Sequence, residues 1–223
     1  MKLTDYIQLI RSFEGEIVPF PAMKDDPGIK GKRIYLRHDI DLDLKRAMDM
    51  AELEHKNGIR SAYFFLNTAG YWDAMTNEPG LFEQMGHEVG WHNNALSQFY
   101  VYNKGKGLKD IIEEPLKVLR EQFGCTIRGT ASHGDNYCAS MQFINYHAFG
   151  LQSKVVRFPI REDHPIFNLS DFQLEYEAYF LKRNFYLSDS SGHFEEEAPL
   201  LLGKFNSMQD CTIQILCHPN RWE

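Results

Sequence analysis

Short apolar runs alternate along this chain with helix-length amphipathic segments, and that alternation constrains the fold more than any other feature. Arg33–His38 reads as a strand. Leu44, Ala47, Met48 and Ala51 follow at i, i+3, i+4 and i+7, the apolar stripe of a helix. Glu52 and Lys56 add an i,i+4 pair on its exposed side, and Asn57-Gly58 stops it. Ser61–Leu66 is apolar nearly throughout, as in a parallel strand covered on both faces. Glu88–His92, Thr126–Ala131, Val155–Phe158, Phe185–Leu187 and Thr212–Cys217 bring the expectation to about seven strands. Leu3–Phe13, Leu108–Phe123 and Leu200–Met208 read as helices, with Pro115 kinking the second or lying in its first turn. Phe20–Lys32 holds Pro21, Pro27, Gly28 and Gly31 and reads as loop. This order predicts an α/β fold with a parallel sheet, open or closed into a barrel. No repeat, low-complexity tract or Ser/Gly-rich linker divides it, so residues 1–223 read as a single domain.

Composition closes several function classes. A chain of 223 residues buries roughly 70–75% of its unfolded surface and needs no disulfide or metal staple to fold. Its net charge of −7 argues against a phosphate-backbone binder, so no nucleic-acid partner is expected. No apolar run approaches the ~18–20 residues of a membrane span. The opening Met1-Lys2-Leu3-Thr4-Asp5-Tyr6 has an early acid and no long apolar core, unlike a signal peptide. Cys125, Cys138, Cys211 and Cys217 form no Cys-x-x-Cys pair and read as reduced thiols. The expectation is a cytoplasmic protein; the sequence carries no signal for its oligomeric state. Aromatic residues are abundant, and Tyr71, Trp72, Trp91 and Trp222 could form either core or a stacking wall for a sugar ring.

In parallel α/β folds, sites collect at the carboxyl ends of the strands. Here five strands end in Asp, His or both. The endings are His38-Asp39-Ile40-Asp41-Leu42-Asp43, His92-Asn93-Asn94, Ser132-His133-Gly134-Asp135, Ser188-Asp189-Ser190 and His218-Pro219. Asp39 and Asp41 are two apart, so in extended chain both carboxylates point to one face. A divalent cation would relieve their repulsion; Asp41 or Asp43 could instead cap the next helix, for which Asp39 lies too early. Imidazole with carboxylate is a usual ligand set for zinc and related metals, which makes His92 a candidate ligand. His218 is either a packing residue beside Pro219 or a general acid.

These pieces, in this order, resemble the polysaccharide deacetylase family, the NodB-homology or carbohydrate esterase 4 group. The resemblance spans about Arg33 to Trp222. It implies a distorted (β/α) barrel of about seven parallel strands and a divalent metal used to remove acetyl groups from N-acetylated sugars. Arg37-His38-Asp39-Ile40-Asp41 is similar to the family's aspartate-rich first motif, in a variant with one residue between the aspartates. It implies Asp39 as general base and Asp41 as metal ligand. His87-Glu88-Val89-Gly90-Trp91-His92 matches the lead of the second motif, with His92 as a ligand, but the second histidine expected four residues on is Leu96. Arg128 stands where an arginine orients the catalytic aspartate. Ile215-Leu216-Cys217-His218-Pro219 resembles the last motif, with His218 as general acid, and Asp189 resembles the late aspartate that holds it.

With Leu96 offering no ligand, His133 is the expected third one. It ends another strand on the same face, and Gly134-Asp135 suggests a tight turn that can aim it inward. His87 precedes its strand and should lie at the opposite end. The expected ligand set is Asp41, His92 and His133 with water, and zinc as the metal ahead of cobalt, nickel, manganese or iron. The function implied is a metal-dependent hydrolase removing an N-acetyl group from an amino sugar or glycan precursor. A hydrolase of another small C–N amide, or a non-catalytic glycan-binding relative, are the alternatives.

Overall fold

The computed structural model describes residues 2–20, 30–102, 105–155 and 158–222. Its centre is β2 (Lys32–Ile40), flanked by β3 (Ala62–Leu66) on one side and β8 (Cys211–Cys217) on the other. From β3 the sheet continues through β4 (Glu88–Asn93) and β5 (Gly129–Ser132) to β6 (Tyr176–Glu177). From β8 it continues to β7 (Phe185–Ser188). The order is β6-β5-β4-β3-β2-β8-β7, every pair is parallel, and a two-residue β1 (Glu16–Ile17) pairs with the start of β2. This is the expected distorted barrel of seven parallel strands, left incomplete between β6 and β7.

Alternation along β2 decides where everything else packs. Ile34, Leu36 and Ile40 face the covering helices, among them Leu3–Ser12, Leu44–Lys56 and Phe194–Ser207. Tyr35 faces the other way, into a small cluster with Phe20, Phe64, Ala131 and Tyr176. Two glycines make that cluster possible. A Cβ on Gly90 would meet the Phe64 ring at 2.4 Å, and one on Gly129 would meet the Tyr176 ring at 2.1 Å. The rings therefore lie on bare backbone and plug the floor of the barrel. Arg37 stands over this plug, its guanidinium 5.7 Å from the centre of the Phe64 ring.

Several boundaries differ from the sequence reading. Val155 and Phe158 lie in no strand, and Val156 and Arg157 fall outside the described residues; the strand beside β5 is Tyr176–Glu177, too short to show periodicity. Thr126–Ile127 precede a strand that starts at Gly129. The last long helix starts at Phe194, six residues before the expected Leu200, with Glu195, Glu196 and Glu197 in its first turn where the helix dipole favours acids. Pro115 sits inside the helix Leu108–Lys117, which then widens into a π turn, Val118–Gln122. Of the expected loop Phe20–Lys32, residues 21–29 lie outside the described ones. The four cysteines are buried free thiols. No helix among the described residues is long and apolar enough to cross a membrane.

Candidate metal centre and active site

The parallel topology carries the carboxyl ends of β2, β4, β5, β7 and β8 to one mouth. Asp39 follows Arg37 on the inward face of β2, and both are buried. The Arg37 guanidinium grips both carboxylate oxygens, Nε on Oδ1 at 2.7 Å and Nη2 on Oδ2 at 2.6 Å. Burial pushes the Asp39 carboxyl up, but Arg37 and then His92 draw it down further, and the net effect is a lowered pKa.

This arrangement corrects the assignment of Arg128. Residue 128 precedes β5 and so lies at the opposite end of the strand from the site. Its guanidinium is 40% exposed and forks onto Glu175 at 2.7 and 2.8 Å. The arginine that holds Asp39 is Arg37.

Asp41, His92 and His133 converge. His92 Nε2 lies 3.2 Å from Asp41 Oδ1, His133 Nδ1 lies 3.4 Å from the same oxygen, and the two ring nitrogens are 3.0 Å apart. Donors sharing one zinc at 2.0–2.1 Å in tetrahedral geometry stand about 3.3 Å apart, so the three atoms already have the right spacing. His92 donates Nδ1–H to the Ala131 carbonyl at 2.8 Å, which leaves the Nε2 lone pair facing the cluster. That outer bond is the usual device for fixing a metal-binding tautomer. Asp41 Oδ1 is buried with no hydrogen bond of good geometry. Burial raises the Asp41 pKa, yet His133 and His92 bring it far below the carboxylate range. The donor set fits a divalent cation, and it is the one such cluster among the described residues.

The neighbouring residues separate from this cluster. Asp43, not Asp41, caps the helix Leu44–Lys56, accepting from Arg46 N at 3.0 Å. Leu96 is fully buried in the apolar core. His87 lies before β4, its Nε2 on the Ala51 carbonyl at 3.0 Å.

His218 stands across the mouth, its Nε2 3.7 Å from Asp41 Oδ2. Asp189 holds it twice: Oδ1 accepts from His218 Nδ1 at 2.6 Å and Oδ2 from the His218 backbone N–H at 2.7 Å. Burial lowers the His218 pKa, but the Asp189 hydrogen bond and the charges of Asp39 and Asp189 more than reverse this, so it is raised. A cavity of about 350 Å³ connects Arg37, Asp39, the Asp41 cluster and His218. Its aromatic lining is Tyr146, Tyr179 and Tyr186. The aromatics expected as a sugar wall do other work. Trp91 and Trp222 are buried and donate to Asn67 and Asp189, and Tyr71 donates to the Ile40 carbonyl. Trp72 packs against the core.

Sequence reasoning missed Arg37 and the three tyrosines. Arg37 was legible, because the alternation that pairs Asp39 with Asp41 also puts Arg37 on their face. Tyr146 and Tyr179 sit on single 3₁₀ turns, Asn145–Phe149 and Ala178–Phe180, and carry no periodic signal.

No family model matches the chain, and no curated protein matches it. Solved structures do. The catalytic domain of the peptidoglycan N-acetylglucosamine deacetylase from Eubacterium rectale superposes with a TM-score of 0.51 at 17% identity, covering 87% of this chain and 79% of that one. A family 4 carbohydrate esterase from Bacillus anthracis gives a TM-score of 0.45 at 12% identity over 96% of this chain and 77% of that one. A carbohydrate esterase family 4 pseudoenzyme from Bacillus anthracis gives 0.46 at 13% identity over 86% of this chain and 57% of that one. The likeness to the Eubacterium domain is one of fold: the chain has the NodB-type barrel.

Proposed function

We propose that this chain is a metal-dependent hydrolase that removes the N-acetyl group from an amino sugar or glycan precursor. The observation that carries the reading is one cavity holding three convergent metal-type donors between a fixed carboxylate and a fixed imidazole. Asp41, His92 and His133 would hold the cation. When bound, a divalent ion supplies Lewis-acid polarisation of the acyl oxygen and activation of water. The chain's own groups supply the rest. Asp39, kept ionised and oriented by Arg37, accepts the proton of the attacking water. His218, its pKa raised by the hydrogen bond to Asp189, gives a proton to the departing amine. The two groups have opposite jobs and oppositely shifted pKa values, the pattern of an acid–base pair. Tyr146, Tyr179 and Tyr186 line the cavity and would meet a sugar bound there.

Acetate release tests the proposal. Protein freed of metal and reloaded in turn with zinc, cobalt, nickel, manganese or iron is assayed on N-acetyl sugars, nucleotide-linked N-acetyl sugars and simple acetamides. Metal-dependent acetate release from the sugars is the expected result. Release from the simple amides alone would move the substrate class to another C–N bond, and release from none with any metal would overturn the proposal.

A further inference from the structure

Behind the site, on the helix-facing side of β2, lies a second polar cluster that the proposed chemistry does not use. Its centre is Glu54, fully buried in the helix Leu44–Lys56. Both of its oxygens are occupied. Oε1 accepts from Tyr6 Oη at 2.5 Å and from His38 Nε2 at 3.0 Å. Oε2 accepts from Ser61 Oγ at 2.5 Å and from Tyr63 Oη at 2.7 Å. His38 is also fully buried, and its other ring nitrogen, Nδ1, faces the Cys217 carbonyl at 3.3 Å.

Cys217 is the residue before His218, and the register between β2 and β8 ends at the pair His38–Cys217. The peptide unit joining Cys217 to His218 is therefore held at both of its polar atoms. Its carbonyl meets His38 Nδ1, and its N–H donates to Asp189 Oδ2 at 2.7 Å. His38 is also the neighbour of Asp39 in the chain. His38 thus belongs to the strand of the proposed base and is hydrogen-bonded to the backbone of the strand that leads to the proposed acid. A second route reaches the same place: Tyr6 packs edge-on against Trp222 at 5.1 Å, and Trp222 Nε1 donates to Asp189 Oδ2 at 3.1 Å.

We infer that His38, anchored by Glu54, is a positioning residue that clamps the Cys217–His218 peptide and so fixes the His218 imidazole opposite Asp39. The inference rests on the reading of His218 as proton donor. Glu54 fixes the ring of His38, Nδ1–H then orders the carbonyl of Cys217, and the peptide plane sets where the His218 side chain departs. Misplacing a catalytic group by about 1 Å costs roughly 10²-fold in rate, so a clamp on one peptide plane has a measurable effect.

Two substitutions separate clamping from mere packing. In His38→Asn the side-chain amide can still donate where Nδ1 stood, and in His38→Gln it can donate only where Nε2 stood. His38→Asn, which keeps the donor to Cys217 but loses the Glu54 anchor, should retain more kcat than His38→Gln. His38→Gln should lower kcat by about 10²-fold with KM unchanged, and should move the NMR resonance of the His218 backbone amide. Turnover that follows thermal stability in both variants, whichever donor is kept, overturns the clamp. If neither variant folds, the wild-type protein decides by NMR. A His38 Nδ1 proton with scalar coupling to the Cys217 carbonyl carbon supports the clamp, and an unprotonated Nδ1 overturns it. Full turnover in His218→Ala would remove the proton-donor reading instead, while the NMR coupling still reports on the clamp by itself.

Discussion

Two carboxylates with buried oxygens, Glu54 and Asp41, lie on opposite sides of the sheet, and the groups that face those oxygens differ. Glu54 faces four donors, from Tyr6, His38, Ser61 and Tyr63, and every lone pair it aims inward is met. Asp41 Oδ1 faces two imidazole nitrogens at 3.2 and 3.4 Å and forms no good hydrogen bond with either. The first cluster is balanced in donors and acceptors and holds the fold closed. The second has a surplus of lone pairs converging on one point, and that surplus is what a cation removes. Burial alone does not distinguish scaffold from site; the balance of protons does.

If the contrast is right, exchanging the two carboxylates for alanine should give opposite results. Asp41→Ala should cost more metal affinity than the ~10–100-fold typical of losing an outer-shell partner, and activity with it, while leaving urea stability in chelator intact. Glu54→Ala should cost about 3–5 kcal/mol of stability, the loss seen when one partner of a buried charged network is removed. Metal titration and urea unfolding of both variants check this, and a large stability loss in Asp41→Ala would break the contrast.

Within the site, the proposed acid–base pair should be separable from the proposed metal ligands. Asp39→Asn and His218→Ala should each lower turnover by about 10²–10⁴-fold and retain the metal on elemental analysis. His133 and His87 should also divide. His133→Ala should weaken metal binding by more than ~10-fold, whereas His87→Ala, on the scaffold side, should leave it unchanged in calorimetric titration.

The balanced cluster also has a pH signature. Burial raises the Glu54 pKa, but the surrounding groups, His38 first, bring it from 4.5 down to about 2. A depressed carboxylate stabilises the fold above its unfolded pKa and loses that contribution as pH falls. Stability on the order of 3 kcal/mol should therefore vanish between about pH 4.5 and 2. Urea midpoints of wild type and Glu54→Gln over that range should converge at the acid end. The smallest expected effect is that of Arg128→Ala. Its pair with Glu175 is exposed, so stability should change by less than about 1 kcal/mol and activity not at all.

The site was legible in the sequence where a side chain's direction follows from strand alternation. Asp39 and Asp41 share a face because they are two apart, and His92, His133, Asp189 and His218 converge because parallel strands deliver their carboxyl ends to one side. The resemblance places Arg128 by motif position, but residue 128 precedes β5 and so falls at the far end of its strand from the site. Glu54 is hard to read for a different reason. It shares the buried face of its helix with Ala47 and Ala51, where an acid is unexpected. Its four donors come from three other parts of the chain, and no local pattern announces them. Tyr146, Tyr179 and the two-residue strands β1 and β6 depend on tertiary contacts alone.

The position of β8 has a consequence for how the protein is made. β8 inserts between β2 and β7, and the bond from His38 to the Cys217 carbonyl spans 179 residues. Asp41, His92 and His133 leave the ribosome long before His218 does. Under the proposed roles, the residues that would hold the cation are thus synthesised before the residue that would give the proton. Closing such distant contacts is slow compared with local folding. Contacts that reach across most of the chain are what would bring the proposed proton donor to the proposed cation ligands.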